Sequence, residues 1–520
     1  MSTTYNNAVG PQVRAPHPKP GLVIPFLACA SLVVGLQSAT EYFAYTFQYQ
    51  DVLGQRFGAL YQPWAILEWA WRWANDYPLQ LKQAGGVGMI VAASGLLCLA
   101  IARTVQASRP RPNPFLHGSA RWANRDDLEA AALLPRTRTV MDWFKGSPRP
   151  SADGVYVGGW VDAKGTVHYL RHSGPEHVLT YAPTRSGKGV GLVIPTLLSW
   201  PHSALIADLK GELWELTAGW RQQHAHNKVL RFEPAAAQGT VRWNPLDEVR
   251  LGTEHEVADV QNLATILVDP DGRGLESHWQ KTSQALLVGV MLHALYKARN
   301  DSTTTSLPVV DAMLSDPHRA IAELWKEMTT YGHVNGQVHP VVGAAARDML
   351  DRPEEEAGSV LSSAKSYLAL YRDPLVAHNV SASEFKIRDL MHHTNPVSLY
   401  LVTKPSDKAR LRPLIRVFVA MAMRLLTDTI AVHREAVPPS GFMGLLERLG
   451  IRSTPPPLTT KAAYHHRLLG MLDEFPSLGK LEIFQESLAF MAGYGLKFYL
   501  ICQDINQLRS RETGYGADEA

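Results

Sequence analysis

The chain opens on two uncharged apolar stretches, residues 21–40 between Lys19 and Glu41 and residues 84–102 between Lys82 and Arg103. Each reaches the roughly 20 residues that a helix needs to cross the core of a bilayer. Beyond residue 150 the apolar runs shorten to strand length. Residues 154–171 alternate about Lys164-Gly165 and predict a hairpin, and runs at His177 to Tyr181, Ser203 to Asp208, Val397 to Val402, Arg467 to Leu472 and Lys497 to Cys502 predict strands. Between 252 and 388 the spacing becomes helical, in EVADVQNLATILVD, HWQKTSQALLVGVMLHALY, HRAIAELWKEMTTY and GSVLSSAKSYLALY, with Pro270, Pro308, Pro317 and Pro353 in the gaps. A further helix is expected from about Lys408 to Thr427, then a Pro/Gly-rich excursion from Val437 to Pro457. The pattern predicts an α/β protein in four parts: an anchor at 1–103, whose spans 21–40 and 84–102 flank a loop at 41–82; a first α/β part at 104–251; an all-α domain inserted at 252–388; and a second α/β part at 389–520.

Flanking charges orient the anchor. Arg14 and Lys19 precede the first span, and Arg103, Arg109, Arg111, Arg121 and Arg125 follow the second before any acidic residue, so both ends are expected in the cytoplasm and the loop 41–82 outside. In that loop Trp64, Trp69, Trp71 and Trp73 suit a membrane interface or, alternatively, the core of a small folded loop. Ala28-Cys29-Ala30 resembles a signal-peptide cleavage site, but the apolar stretch continues past it. Ala84, Gly88 and Ala92 stand four apart on the second span. Such a small-residue face allows close helix packing in lipid and hints at oligomerisation through the membrane.

Composition narrows the chemistry. With 520 residues, 46% of them hydrophobic and 19% charged, the chain can bury several cores. A net charge of only +3 means that any nucleic-acid contact must come from a local basic channel. Cys29, Cys98 and Cys502 all lie within apolar runs, so neither a disulfide framework nor a cysteine zinc site is indicated. The histidine pairs His224 and His226, His392 and His393, and His465 and His466 lack partners at metal-ligand spacing, and no G-x-S-x-G elbow is present.

One loop carries the chemistry. Ala182-Pro183-Thr184-Arg185-Ser186-Gly187-Lys188-Gly189 lies between a strand pattern and the apolar run Val190 to Leu198. In that strand–loop–helix context, backbone N–H groups cradle a polyphosphate and a lysine reaches its outer phosphates. Gly187 and Lys188 fit the pattern G-x-x-x-x-G-K-[ST], whereas Ala182 replaces its first glycine and Gly189 the hydroxyl residue that would contact Mg²⁺. Nucleotide contacts are therefore expected from Pro183, Thr184, Arg185, Ser186, Gly187, Lys188, Gly189 and Val190. The strand at Arg467 ends in Asp473-Glu474, a pair able to hold Mg²⁺ through Asp473 and to polarise the attacking water through Glu474. Asp208 competes for the metal but has no adjacent acid. Gln503, at the tip of the next strand, is a candidate γ-phosphate contact. Arg410, Arg412 and Arg416 share one helix and are either phosphate ligands or its exposed face.

Taken in order, these features resemble the coupling proteins of conjugation and type IV secretion, TraG-like membrane ATPases. The resemblance rests on HGSARWA (117–123), APTRSGKGVG (182–191), DLKGE (208–212), NPL (244–246), KPSDKARLRPL (404–414), LDEFPSLGKL (472–481) and ICQDINQL (501–508). It implies a RecA-like P-loop NTPase domain, an inserted all-α domain that receives substrate, and a hexameric ring at the inner membrane. It also implies ATP and Mg²⁺ as cofactors, with Lys188 as Walker A lysine, Asp473 and Glu474 as Walker B, and Gln503 as sensor. Implied partners are single-stranded DNA with bound relaxase, or protein effectors, and components of the secretion channel. Some relatives carry an arginine finger where AGYGLKF (492–498) offers only Lys497. Family members continue well beyond the sensor strand, so the chain is expected to be a truncated product. The function expected is ATP-driven transfer of substrate to the channel. The alternatives are a non-hydrolysing membrane receptor or scaffold for the relaxosome and a chromosome-partitioning or DNA-pumping translocase.

Overall fold

A helix that is apolar on every side has no face to offer water, and the two long N-terminal helices, Val23–Thr46 and Pro78–Ser108, are of this kind. Both are long and apolar enough to cross a membrane. They extend past the expected spans because a formed helix propagates into its polar flanks. The computed structural model describes residues 23–56, 58, 60–108, 122–134, 154–428, 432–436, 458–462, 464–510 and 514–517, in two units, Met1–Asp127 and Leu128–Ala520. Arg14, Lys19, Arg109, Arg111, Arg121, most of HGSARWA and the excursion Val437 to Pro457 lie outside the described residues.

In the first unit the small-residue face has a definite use. A Cβ on Gly35 would stand 2.7 Å from Ala92 Cβ, and one on Gly88 would stand 2.7 Å from Ala39 Cβ, so the backbones touch where only glycine fits. Ser31 Oγ donates to Ala92 O at 3.2 Å. These contacts run in opposite directions along the two helices, which form an antiparallel hairpin. The face of Ala84, Gly88 and Ala92, expected to serve oligomerisation, instead packs the second helix on the first of the same chain. The loop between them folds on an aromatic core: Phe43, Leu53, Tyr61, Ile66 and Trp69 are buried, and Trp69 Nε1 donates to Leu53 O at 3.2 Å. Trp64 and Trp71 point outward, so the tryptophan run divides between core and surface.

The second unit begins with an antiparallel hairpin, β1 (Val155–Val161) and β2 (Val167–His172), turning at Asp162 to Thr166. The strands β3 (Val178–Tyr181), β4 (Ser203–Asp208), β5 (Lys228–Phe232) and β6 (Val397–Val402) follow. A second hairpin pairs β7 (Val432–Ala436) with β8 (Leu458–Ala462), and β9 (Leu468–Leu472) and β10 (Leu496–Cys502) complete the set. Six of these form a wholly parallel sheet in the order β3-β10-β9-β4-β6-β5. Every residue of β4, β6, β9 and β10 is buried, which is why these strands read as unbroken apolar runs rather than alternating ones.

Between β5 and β6 the regular elements are helical, the longest being Glu256–Val268, His278–Asn300, Pro340–Asp351 and Glu354–Leu368. Helix His278–Asn300 starts at a capping box, with Ser277 Oγ accepting from Gln280 N and the Gln280 side chain returning to Ser277 N. These helices share one continuous core with the sheet, running from Leu205 and Phe232 through Leu287 and Met291 to Phe418 and Leu472. Helix Lys408–Thr427 follows β6 and keeps its expected bounds.

Candidate nucleotide-binding site

Because the sheet is parallel, the carboxyl ends of its strands lie along one edge, and α/β proteins place their ligands there. The loop after β3 leaves the sheet at Ala182, whose N–H still donates to Cys502 O at 2.8 Å. Ser186 N then bonds to Pro183 O at 3.2 Å, and the N–H groups of Thr184, Arg185 and Gly187 meet no acceptor among the described residues. Arg185 (φ +63°) and Gly187 (φ +82°) are left-handed, and Pro183 to Gly187 and Val190 are exposed. The chain re-enters helix at Lys188 through a widened π turn, Gly189–Val193, before the α-helical Ile194–Ser199. Pro195 explains the wide turn, since its ring would clash with the carbonyl of Gly191 in a regular helix.

Lys188 ends among the acids of β9. Its Nζ lies 3.2 Å from Asp473 Oδ1 and 3.3 Å from Glu474 Oε1, and Gln503 Nε2 donates to the same Glu474 oxygen at 2.6 Å. Four residues separated by up to 315 positions thus meet at the ends of β3, β9 and β10. Burial opposes the charge of Lys188, but Asp473 and then Glu474 outweigh it and hold the ammonium above its usual range. Burial likewise opposes the Glu474 carboxylate, while the Gln503 hydrogen bond and the Lys188 charge hold it below its usual range. Glu474 adopts φ +62°, ψ +42°, a strained conformation for a non-glycine residue. Asp473 Oδ1 is buried and its neighbour is the Lys188 ammonium, which lies off hydrogen-bond geometry. A buried carboxylate oxygen matched only by a nearby cation beside a phosphate-type loop suits a cation ligand.

Asp208, the rival for the metal, is differently employed. Its Oδ1 accepts from Gly211 N at 2.8 Å and Lys210 N at 3.3 Å in the turn before helix Glu212–Gln223, and its Oδ2 from Trp214 N at 2.8 Å in the first turn of that helix. Asp504 is itself the N-cap of Ile505–Arg509, accepting from Asn506 N. Lys497 is fully buried; its Nζ donates to Gly174 O at 2.7 Å and lies 2.8 Å from His172 Nδ1, which ties it into its own subunit. No group of three metal-ligating side chains occurs among the described residues.

A parallel sheet carrying this loop, a lysine and two carboxylates at its carboxyl edge defines the class of P-loop nucleotide-binding proteins. The sequence profile of the family described as Type IV secretory system Conjugative DNA transfer matches residues 121–443 and 456–520, and the chain belongs to that family of TraG-like coupling proteins. It is 64% identical over 515 residues to the conjugal transfer protein TraG of Escherichia coli, covering 99% of this chain and 78% of that protein. It is 27% identical over 446 residues to the protein VirD4 of Agrobacterium fabrum, covering 83% of this chain and 57% of that protein. Among solved structures, the plasmid coupling protein TrwB in complex with ADP and Mg²⁺ aligns with a TM-score of 0.45 at 19% identity, covering 72% of this chain and 73% of TrwB.

Proposed function

We propose that the chain is the coupling ATPase of a conjugative type IV secretion system, recruiting a relaxase-bound DNA strand or a protein effector to the membrane channel and driving its transfer with ATP. The observation that carries this reading is the convergence of Lys188, Asp473, Glu474 and Gln503 on one sheet edge in a chain of this family. Residues 183–190 would hold the phosphates of ATP, with Lys188 turning to them from the carboxylates. Asp473 would hold Mg²⁺, which supplies positive charge against the phosphates. Glu474 would orient the attacking water and accept its proton, and Gln503 would register loss of the γ-phosphate. The α/β parts at 104–251 and 389–520 would form a RecA-like motor and the helices of 252–388 an all-α domain that receives substrate. Six copies would close a ring at the inner membrane, crossed by both N-terminal helices, with both termini and the main domains cytoplasmic. Single-stranded DNA would be gripped through phosphate contacts and base stacking. Lys188→Ala is expected to abolish nucleotide binding and conjugative transfer, and wild-type transfer by that variant would end the motor reading.

Gly189, which offers no hydroxyl after the lysine, favours a second reading: a membrane receptor that binds nucleotide without hydrolysing it. DNA-stimulated ATPase activity separates the two. Normal substrate docking with turnover at background would select the receptor.

A further inference from the structure

The helix Lys408–Thr427 carries four arginines, and the three in its first half, Arg410, Arg412 and Arg416, differ in use. Arg410 pairs with Asp407 and Asp373 on the surface. Arg412 Nε reaches Leu478 O at 3.4 Å. Arg416 is almost wholly buried, and its Nη1 donates to two main-chain carbonyls, Leu478 O at 2.8 Å and Lys480 O at 2.6 Å. Those carbonyls belong to the segment that follows Glu474 directly: a short 3₁₀ turn, Phe475–Leu478, whose Ser477 N–H bonds to Glu474 O at 2.8 Å. A buried cation costs stability unless it is held by good acceptors. Here no carboxylate among the described residues stands at ion-pair distance, Nε is buried without an acceptor, and the hydrogen bonds of the guanidinium go to the carbonyls of this segment.

The other side of Lys480 O is covered by the loop joining helices Glu256–Val268 and His278–Asn300. Asp269 shapes that loop by accepting from the N–H groups of Gly272, Arg273 and Gly274. A Cβ on Gly272 would stand 2.1 Å from Lys480 O and 2.9 Å from Arg416 Nη2. The helices between β5 and β6 therefore rest directly on the carbonyl that Arg416 holds. This contact gives the helices a path to Lys480 and Arg416, and through Leu478 and Ser477 to Glu474, the strained member of the site.

We propose that Arg416 is the positioning residue that couples the Asp473–Glu474 pair to the helical segment through the contact of Lys480 with Gly272; this rests on the nucleotide-binding reading of the site. The coupling works in both directions, as linkage requires: nucleotide at the site alters the 269–277 loop, and a ligand on the helices alters the geometry of Glu474. The test is hydrogen exchange on the full chain in detergent, with and without ADPNP and Mg²⁺, on peptides covering 475–481 and 264–277, alongside ADPNP affinity. In the wild type both peptides are expected to change protection. In Arg416→Met and in Gly272→Ala, each saturated with ADPNP at its own measured affinity, the change at 264–277 is expected to vanish while that at 475–481 persists, and Arg416→Lys is expected to restore part of it. Nucleotide-bound wild type without a response at 264–277, or variants with the full response, would overturn the coupling whether or not every variant folds. Wild type that binds no ADPNP would instead bring down the nucleotide reading, and this inference with it.

Discussion

Glu474 Oε1 is shared by two donors: the Gln503 amide at 2.6 Å and the Lys188 ammonium at 3.3 Å. The lysine that would serve the phosphates is thus held by the carboxylate that would serve the water, and binding must separate them. Glu474→Gln keeps the shape and removes the charge. Nucleotide affinity is expected to persist or rise, because Lys188 is released, while turnover falls by about 10²–10⁴, the range for loss of a general base. Equilibrium binding and steady-state phosphate release measure the two separately, and a matched loss in both would refute a role confined to chemistry.

Asp208 tests the division between metal ligand and backbone acceptor. Both its oxygens accept backbone N–H groups at the start of a helix, so Asp208→Ala is expected to destabilise the fold by about 1–2 kcal/mol, the range for lost hydrogen bonds to partly buried backbone donors. Magnesium-dependent nucleotide affinity should be unchanged in the folded variant. Asp473→Ala is expected to do the reverse, lowering the magnesium dependence while leaving the melting temperature near that of the wild type. Loss of magnesium dependence in Asp208→Ala would overturn the assignment.

Much of this was legible because the sheet is parallel. Buried on both faces, β4, β6 and β10 leave continuous apolar signatures, so Ser203–Asp208 and Val397–Val402 match expectation residue for residue. The candidate residues stood out for a related reason: Asp473, Glu474 and Gln503 follow strands directly, where an apolar run stops at a polar residue, and Lys188 closes the loop after a third. Helix Pro340–Asp351 was not legible, since only Val342, Ala346 and Met349 mark its buried face and the alanines and glycine between them carry little apolar signal. Least visible were charged residues that serve as structure. Arg221 is fully buried and donates to Leu197 O, Trp200 O, His202 O, Ser398 Oγ and Asn227 Oδ1. Arg416 behaves similarly. Their acceptors are mostly carbonyls, which every residue has, so no spacing of side-chain types announces them.

Lys497 gives a pH signature. Burial, with Arg467 nearby, pushes its ammonium down to about 8. The unfolded lysine keeps its proton to about 10.4, so across the interval the unfolded chain binds more protons and stability rises with pH. Lys497→Met is expected to be more stable than the wild type near pH ~7, where the buried ammonium carries its full desolvation cost, and to flatten the slope between pH ~8 and ~10. Denaturant melts of both proteins across that range check this, and parallel curves would show that Lys497 does not titrate in the folded state.

A second signature lies at acid pH, in three histidines of the helical segment. The His339 N–H donates to His333 Nδ1 at 3.2 Å, which places the His333 proton on Nε2. That nitrogen lies 2.9 Å from His293 Nδ1, which must accept, leaving the His293 proton on Nε2. There it is buried without a hydrogen bond, 3.7 Å from Glu327 Oε1, an oxygen already engaged by Lys297 at 2.5 Å. A further proton can enter this chain only by breaking it, and burial holds both His293 and His333 below their usual range. Below about pH 6.5 the unfolded chain therefore takes up protons that the folded one refuses, and stability falls as pH falls. His293→Gln can accept from His333 and donate towards Glu327 but cannot titrate. Its melting temperature is expected to drop less than that of the wild type between pH ~7 and ~5; an equal drop would move the acid sensitivity elsewhere in the molecule.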